Sequence, residues 1–224
     1  MTFSINEMVA NIRKAIDDIA PSVLDSFATD VNAELEQAMM HAVESLSMEL
    51  PLSLLEPTVI SNDDNPQITT GDSGEAVVEL DEKFIRFIAV RLNGWKGTVN
   101  ELMVPGSDEE KQQRSAWSRG TPTKPKAMLD HWLLEHDESD ENEGNESEES
   151  QSEYIERQVL RCWPHEGMLE RLVYVERPTV SGDNLTCDLK EEAKKNIIYR
   201  AAYIFLEGKK ESATADKFNQ LSML

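Results

Sequence analysis

The sequence predicts an α+β protein in which N- and C-terminal helices form a bundle and a β-rich insertion occupies the middle. Three observations predict it. Apolar residues recur at helical spacing in residues 1–50 and again in 188–224. β-Branched and aromatic residues cluster between turn signals in 75–187. Between them, 51–74 mixes Pro, Gly, Asn, Asp and Thr and reads as an extended loop or linker. The two ends share one character, so the helical hairpin of 1–50 and the helices of 188–224 are expected to pack together.

The elements follow in order. Ser4 and Glu7 form a Ser-x-x-Glu capping box, and Ile5, Met8, Val9, Ile12, Ile16 and Ile19 continue as a helix stripe up to Pro21. A second helix is expected over about 30–50, with Val31, Leu35, Ala38, Met39, Ala42, Val43 and Leu46 on one face and Pro51 ending it. Strands are expected near 76–80 and 85–92, with Asn93-Gly94 as a turn and "TVNELMV" returning as a further strand. Ser107 and Glu110 make a second capping box, opening a short helix over about 108–117. "AMLDHWLLEH" reads as a strand, and "YIERQVLRCW" and "LERLVYVER" as two more, joined into a hairpin at Pro164–Gly167. Asp188 and Glu191 resemble a third box ahead of the stripe Leu189, Ala193, Ile197, Ala201, Ile204 and Phe205, which Gly208 is placed to end. Ser212 is expected to cap a last helix carrying Phe218, Leu221 and Leu224.

The charge balance excludes several functions. Of 224 residues, 43 are acids and 22 are bases, a formal charge of −21. That field repels nucleic acid and anionic membrane at long range, so binding a DNA groove by counterion release is a poor match. A surface past which DNA slides without sticking is a better one. The two cysteines, Cys162 and Cys187, are not spaced as a disulfide framework or a zinc knuckle. Met1 leads into an amphipathic pattern rather than a secretory signal, and no apolar run approaches a membrane span. The expectation is a soluble protein made in a reducing cytoplasm.

No residue constellation points to catalysis, so the chain is expected not to be an enzyme. His41 lies beside the second helix's stripe and reads as a partly buried packing residue. Cys162-Trp163-Pro164-His165 offers half a metal site, with Cys187 as a third ligand, but no fourth ligand is evident and no metal or cofactor is expected. Phosphate-loop, nucleophile-elbow and zinc-protease motifs are absent from the sequence. Acidic pairs such as Asp17-Asp18 and Asp63-Asp64 are too abundant to be signals. Residues 137–153 hold nine acids, no base and no apolar residue, and are expected to be a mobile loop. Its readings are a solubilising loop with no partner, a DNA mimic, and a charge that repels DNA from a channel wall.

Against this background stands "KQQRSAWSRGTPTKPK", residues 111–126, with five cations and no acid. Pro122 and Pro125 stiffen it, and a stiff segment loses less entropy on docking. Head-to-tail rings need two different complementary patches on each copy. A cationic strip and an anionic face supply such a pair, so Arg114, Trp117, Arg119, Pro122, Lys124 and Lys126 are the candidate subunit-interface residues.

The stretch from Val77 to Leu129 resembles neck proteins of tailed bacteriophages, above all those of crAss-like phages and related Bacteroides-infecting phages and prophages. The shared features are Leu80-Asp81-x-x-Phe84-Ile85-Arg86, Gly94-Trp95, a Gln before the helix end, and Arg119-Gly120-Thr121-Pro122-x-Lys124-Pro125. The C-terminal "KNIIYRAAYIFLEGKKESATADKF" is similar to the same group, and the likeness covers roughly 75–218. The resemblance implies a virion head–tail adaptor. Such subunits form a ring, usually of twelve copies, that extends the portal's DNA channel and seats the tail, without enzyme activity or cofactor. Implied partners are other copies, the portal protein and other neck and tail proteins. DNA passes without specific binding, no membrane is involved, and the location is the virion neck after assembly in the host cytoplasm. The alternative is an acidic monomeric regulatory or DNA-mimic protein that binds a basic partner.

Overall fold

The computed structural model describes residues 1–222 except 22, 28–30, 62–63, 65–67, 72–73, 116, 136–153 and 166. The expected acidic loop at 137–153 and Leu224 therefore lie outside the described residues. In chain order the elements begin with β1 (Thr2–Ser4), α1 (Ile5–Ile19), α2 (Val31–Glu49), β2 (Thr58–Ser61) and β3 (Ile68–Thr70). They continue with β4 (Ala76–Glu79), β5 (Phe84–Leu92), α3 (Asp108–Gln113), β6 (Lys126–Glu135) and β7 (Tyr154–Trp163). The last are β8 (Leu169–Glu176), β9 (Thr179–Ser181), β10 (Asn184–Thr186), α4 (Lys194–Gly208) and α5 (Ser212–Ser222). The protein is thus mixed α and β, with helices towards both termini.

Two compact units divide the chain. The first comprises Met1–Thr58, Lys83–Phe87 and Tyr174–Leu224; the second, Val59–Glu82 and Ile88–Val173. In the first unit α4 packs against α1, α2 and α5. The stripes expected from spacing supply the core: Met8, Ile12 and Ile16 on α1, Leu35, Met39, Val43 and Leu46 on α2, and Ile197, Ala201 and Phe205 on α4 are all buried. Ser4 caps α1 by accepting from the Glu7 amide, as the capping box requires. The carboxylate of Glu7 accepts from Lys194 Nζ at 2.7 Å, which holds its pKa below the usual range. Pro51 follows α2, and Arg86 Nη1 donates to Ser47 O and Leu50 O, satisfying carbonyls at that helix end. Arg200, on α4, reaches Glu49 and Asn219. A three-stranded sheet, β1-β10-β9, completes this unit, with Phe3 opposite Leu185.

The second unit is built on a four-stranded antiparallel sheet of order β3-β4-β7-β6. β6 and β7 pair residue for residue from Lys126↔Trp163 to Glu135↔Tyr154. Ala76, Val77 and Val78 are buried on β4, and Met103, Met128 and Trp163 form a small cluster at one end of the sheet. A further sheet has the order β2-β8-β5.

Several expectations need correction. The 51–74 stretch, expected to hold little regular structure, carries two short strands: Thr58-Val59-Ile60 and Ile68-Thr69-Thr70 are β-branched runs, and each falls in one. β7 and β8 do not make a hairpin. Both edges of β7 are occupied, by β4 and β6, so β8 pairs with β2 and β5 instead. "TVNELMV" contributes only isolated bridges, Val90↔Val99 and Met103↔Met128. Helix α3 stops at Gln113 rather than near 117. Asp188 does not cap α4, because its carboxylate accepts from the Glu176 amide and the Thr58 hydroxyl. Gly208 is the last residue of α4, yet the left-handed position is Lys210, at φ 64°.

Ile197 is fully buried on α4. Placing an unpaired carboxylate there costs about 3–5 kcal/mol, a large share of a typical total of about 5–15 kcal/mol. Ile197→Asp is therefore expected to abolish the cooperative thermal transition followed by circular dichroism; a variant that melts as the parent does would contradict this packing.

Candidate functional site

The basic segment is a braced loop between α3 and β6. Its start is set by Ser107, whose hydroxyl accepts from the Glu110 amide at 3.3 Å. Glu110 closes the cap by accepting from Gly106 N–H and from Arg114, which holds its carboxyl below the usual range. Gln113, the last residue of the helix, is buried. Its Nε2 donates to Glu109 O at 3.0 Å and its Oε1 accepts from Gly120 N–H at 2.6 Å. Ser118 Oγ donates to Gln112 O, and Arg119 N–H donates to Ser115 O.

The second half of the loop is equally held. Thr121 and Lys124 exchange backbone hydrogen bonds, and Lys96 N–H donates to Pro122 O at 2.7 Å. A Cβ at Gly120 would lie 2.8 Å from the carbonyl oxygen of Trp163, so only glycine lets the loop seat on the end of β7. Trp95 is buried beside this region and donates from Nε1 to Pro164 O at 3.1 Å. Trp95, Gln113 and Gly120 thus brace the loop and its base.

The structure divides the strip's cations into two groups. Lys111 pairs with Asp108 at 3.1 Å, Arg114 with Glu110 at 3.1 Å and Lys126 with Glu109 at 3.7 Å. The acids of α3, which lie just outside the acid-free stretch in sequence, neutralise three of its five cations. Arg119 and Lys124 have no ion pair among the described residues, and the Arg119 Nε is buried without a hydrogen-bond partner. These two line a cleft of about 230 Å³ together with Gln113, Ser118, Gly120 and Lys126. Trp117 is 98% exposed, a degree unusual for an indole. Pro122 and Lys126 are half-buried and serve the loop's seating. Of the six candidate interface residues, then, Trp117, Arg119 and Lys124 remain available to a partner.

Other candidate chemistry is not assembled. Cys162 is fully buried on β7, and burial raises its thiol pKa far above the ordinary range; Cys187 is buried and shifted upward as well. Among the described residues, no group of three or more His, Cys, Asp and Glu is placed to hold a metal ion. His41 is exposed rather than packed, because Ala38 and Ala42 take the buried positions flanking it. One buried acid was not singled out by sequence: Glu75, which pairs with Arg161 at 3.1 Å while Arg161 also pairs with Asp130 at 2.9 Å. The partners are far apart in sequence, and no local motif signals them. No helix among the described residues is long and apolar enough to cross a membrane.

Comparison with protein-family models and with curated proteins finds no match for the chain.

Gln113→Ala removes the acceptor of the Gly120 amide, at a cost of about 1–3 kcal/mol for an unsatisfied buried donor. A lower melting temperature, with faster amide hydrogen exchange at Gly120, is the expected result. Burial of both thiols predicts that a disulfide-exchange reagent titrates neither cysteine rapidly in the native protein and both after unfolding.

Proposed function

We propose that this chain is a structural virion protein, one subunit of a head–tail connector ring that extends the portal's DNA channel and seats the tail. In this reading the terminal helices form a bundle into which the β-rich stretch is inserted. One part stacks against portal and tail proteins, and the other reaches neighbouring copies. The protein has no catalytic role, and its place is the neck of the virion.

The observation that carries the reading is Trp117: a nearly fully exposed indole, on a loop braced at both ends, beside two cations without ion-pair partners among the described residues. Folding gains nothing from exposing an indole, whereas aromatic residues and arginine dominate the binding energy of protein interfaces. A chain of charge −21 offers such a loop abundant acids on identical copies. The same negative charge suits a channel wall that does not hold phosphate. The resemblance of residues 75–218 to phage neck proteins supports the same conclusion.

Light scattering of the purified chain, alone and mixed with a portal protein from the same genome, tests this. A discrete ring-sized oligomer is expected, and Arg119→Glu with Lys124→Glu is expected to abolish it while leaving the circular dichroism spectrum unchanged. A gene remote from portal and capsid genes, or a chain that stays monomeric and instead binds a basic host protein, would overturn the proposal.

A further inference from the structure

The cleft lined by Arg119 and Lys124 holds one unmatched donor. Arg119 Nε is buried with no acceptor, and Lys124 has no carboxylate partner among the described residues. The unmatched donor is the Arg119 Nε, whereas the exposed Lys124 ammonium is hydrated and free to exchange water for a carboxylate. A guanidinium and an ammonium lining one small cleft recognise a carboxylate by charge-assisted hydrogen bonds. An adjacent exposed indole adds apolar contact of about 150–250 Å² when covered.

Residues 137–153 carry the matching chemistry: nine carboxylates with no base among them. Chain geometry decides between the segment's own copy and a neighbour. Lys126, which lines the cleft, opens β6, and Glu135 closes it. Ten extended residues put these two about 30 Å apart, at roughly 3.3 Å per step. The intervening segment is tethered at both ends of that far edge, because Glu135 pairs with Tyr154. Its eighteen residues, 136–153, must go out and return, so the midpoint reaches at most about 32 Å. Reaching its own cleft would require complete extension, the conformation of lowest entropy. A neighbouring copy meets no such limit.

We propose that the cleft lined by Arg119 and Lys124 is a carboxylate-binding socket that receives the acidic 137–153 segment of a second copy of this chain, with the exposed Trp117, next in the chain to the cleft-lining Ser118, adding apolar contact. The inference rests on the ring reading and specifies which surfaces meet. Nucleic acid is the less favoured occupant. Tight binding of a polyphosphate needs several cations to displace counterions, and three of the five in this strip are already matched by Asp108, Glu110 and Glu109. Glu109 also lines the cleft, so it opposes an incoming acid and limits the affinity.

The test uses full-length chains. In one variant the nine acids of 137–153 become their amides, leaving a socket without an acidic segment; in another, Arg119→Glu and Lys124→Glu leave an acidic segment without a socket. A synthetic 137–153 peptide titrated into the amide variant by calorimetry should bind, with affinity falling steeply as salt rises. Binding should weaken at least about tenfold with Trp117→Ala and with Lys124→Glu, and tighten with Glu109→Gln. Lys124 is exposed, so its single variant remains informative if Arg119→Glu disturbs the loop. Mixing the two complementary variants should give a complex that neither forms alone. Equal peptide binding with and without the cations, tighter binding of single-stranded DNA of the same length, or failure of the two variants to associate would overturn the inference. A parent chain that forms no ring while the mixed variants associate would count against the ring and leave the socket standing. A ring that forms undiminished from the amide variant would do the reverse.

Discussion

The structure around the basic loop depends on one buried side chain. Gln113 ends α3 and spends both halves of its amide on backbone, one on the helix and one on Gly120 seven residues later. Buried away from water, each of these groups is costly to leave unmatched. The bridge therefore converts a helix end and a proline-containing coil into one unit. Gly120, pulled in by Gln113, rests against the Trp163 carbonyl, and the loop is tied at Pro122 to the strand turn that carries Trp95. What projects from this frame is Trp117, with Arg119 and Lys124 around the cleft beside it.

Local electrostatics reshape the meaning of the strip. Exposed ion pairs contribute little to stability, typically about 0–1 kcal/mol each. Their effect here is selective: the Asp-Glu-Glu start of α3 favours the helix N-terminus and at the same time neutralises Lys111, Arg114 and Lys126. A tract that reads in sequence as a broad cationic patch becomes a small site in which two cations have no ion pair among the described residues. Small sites of this kind select a few well-placed carboxylates. Long polyanions are served by larger basic surfaces.

The cores were largely legible in the sequence. Helical stripes in both terminal stretches mark residues that are buried, because a helix with one apolar face has a single stable way to shield it. The caps at Ser4 and Ser107 were legible for a similar reason, since their partners lie three residues away. Asp188 shows where that logic fails. Its spacing to Glu191 matches a cap, but Glu176 and Thr58 offer it donors that a local pattern does not reveal.

The site was half legible. Sequence alone determined the helical ends, the β-rich middle and the presence of a stiff loop bearing Trp117, Arg119 and Lys124, because periodicity, proline and local charge are properties of neighbours in the chain. Only the tertiary structure decided that β7 turns away from β8, that Glu75 is buried against Arg161, and that two of the five cations have no ion pair among the described residues. Each of these depends on which strand edges and which charges meet in space, and such meetings are set by packing rather than by sequence spacing.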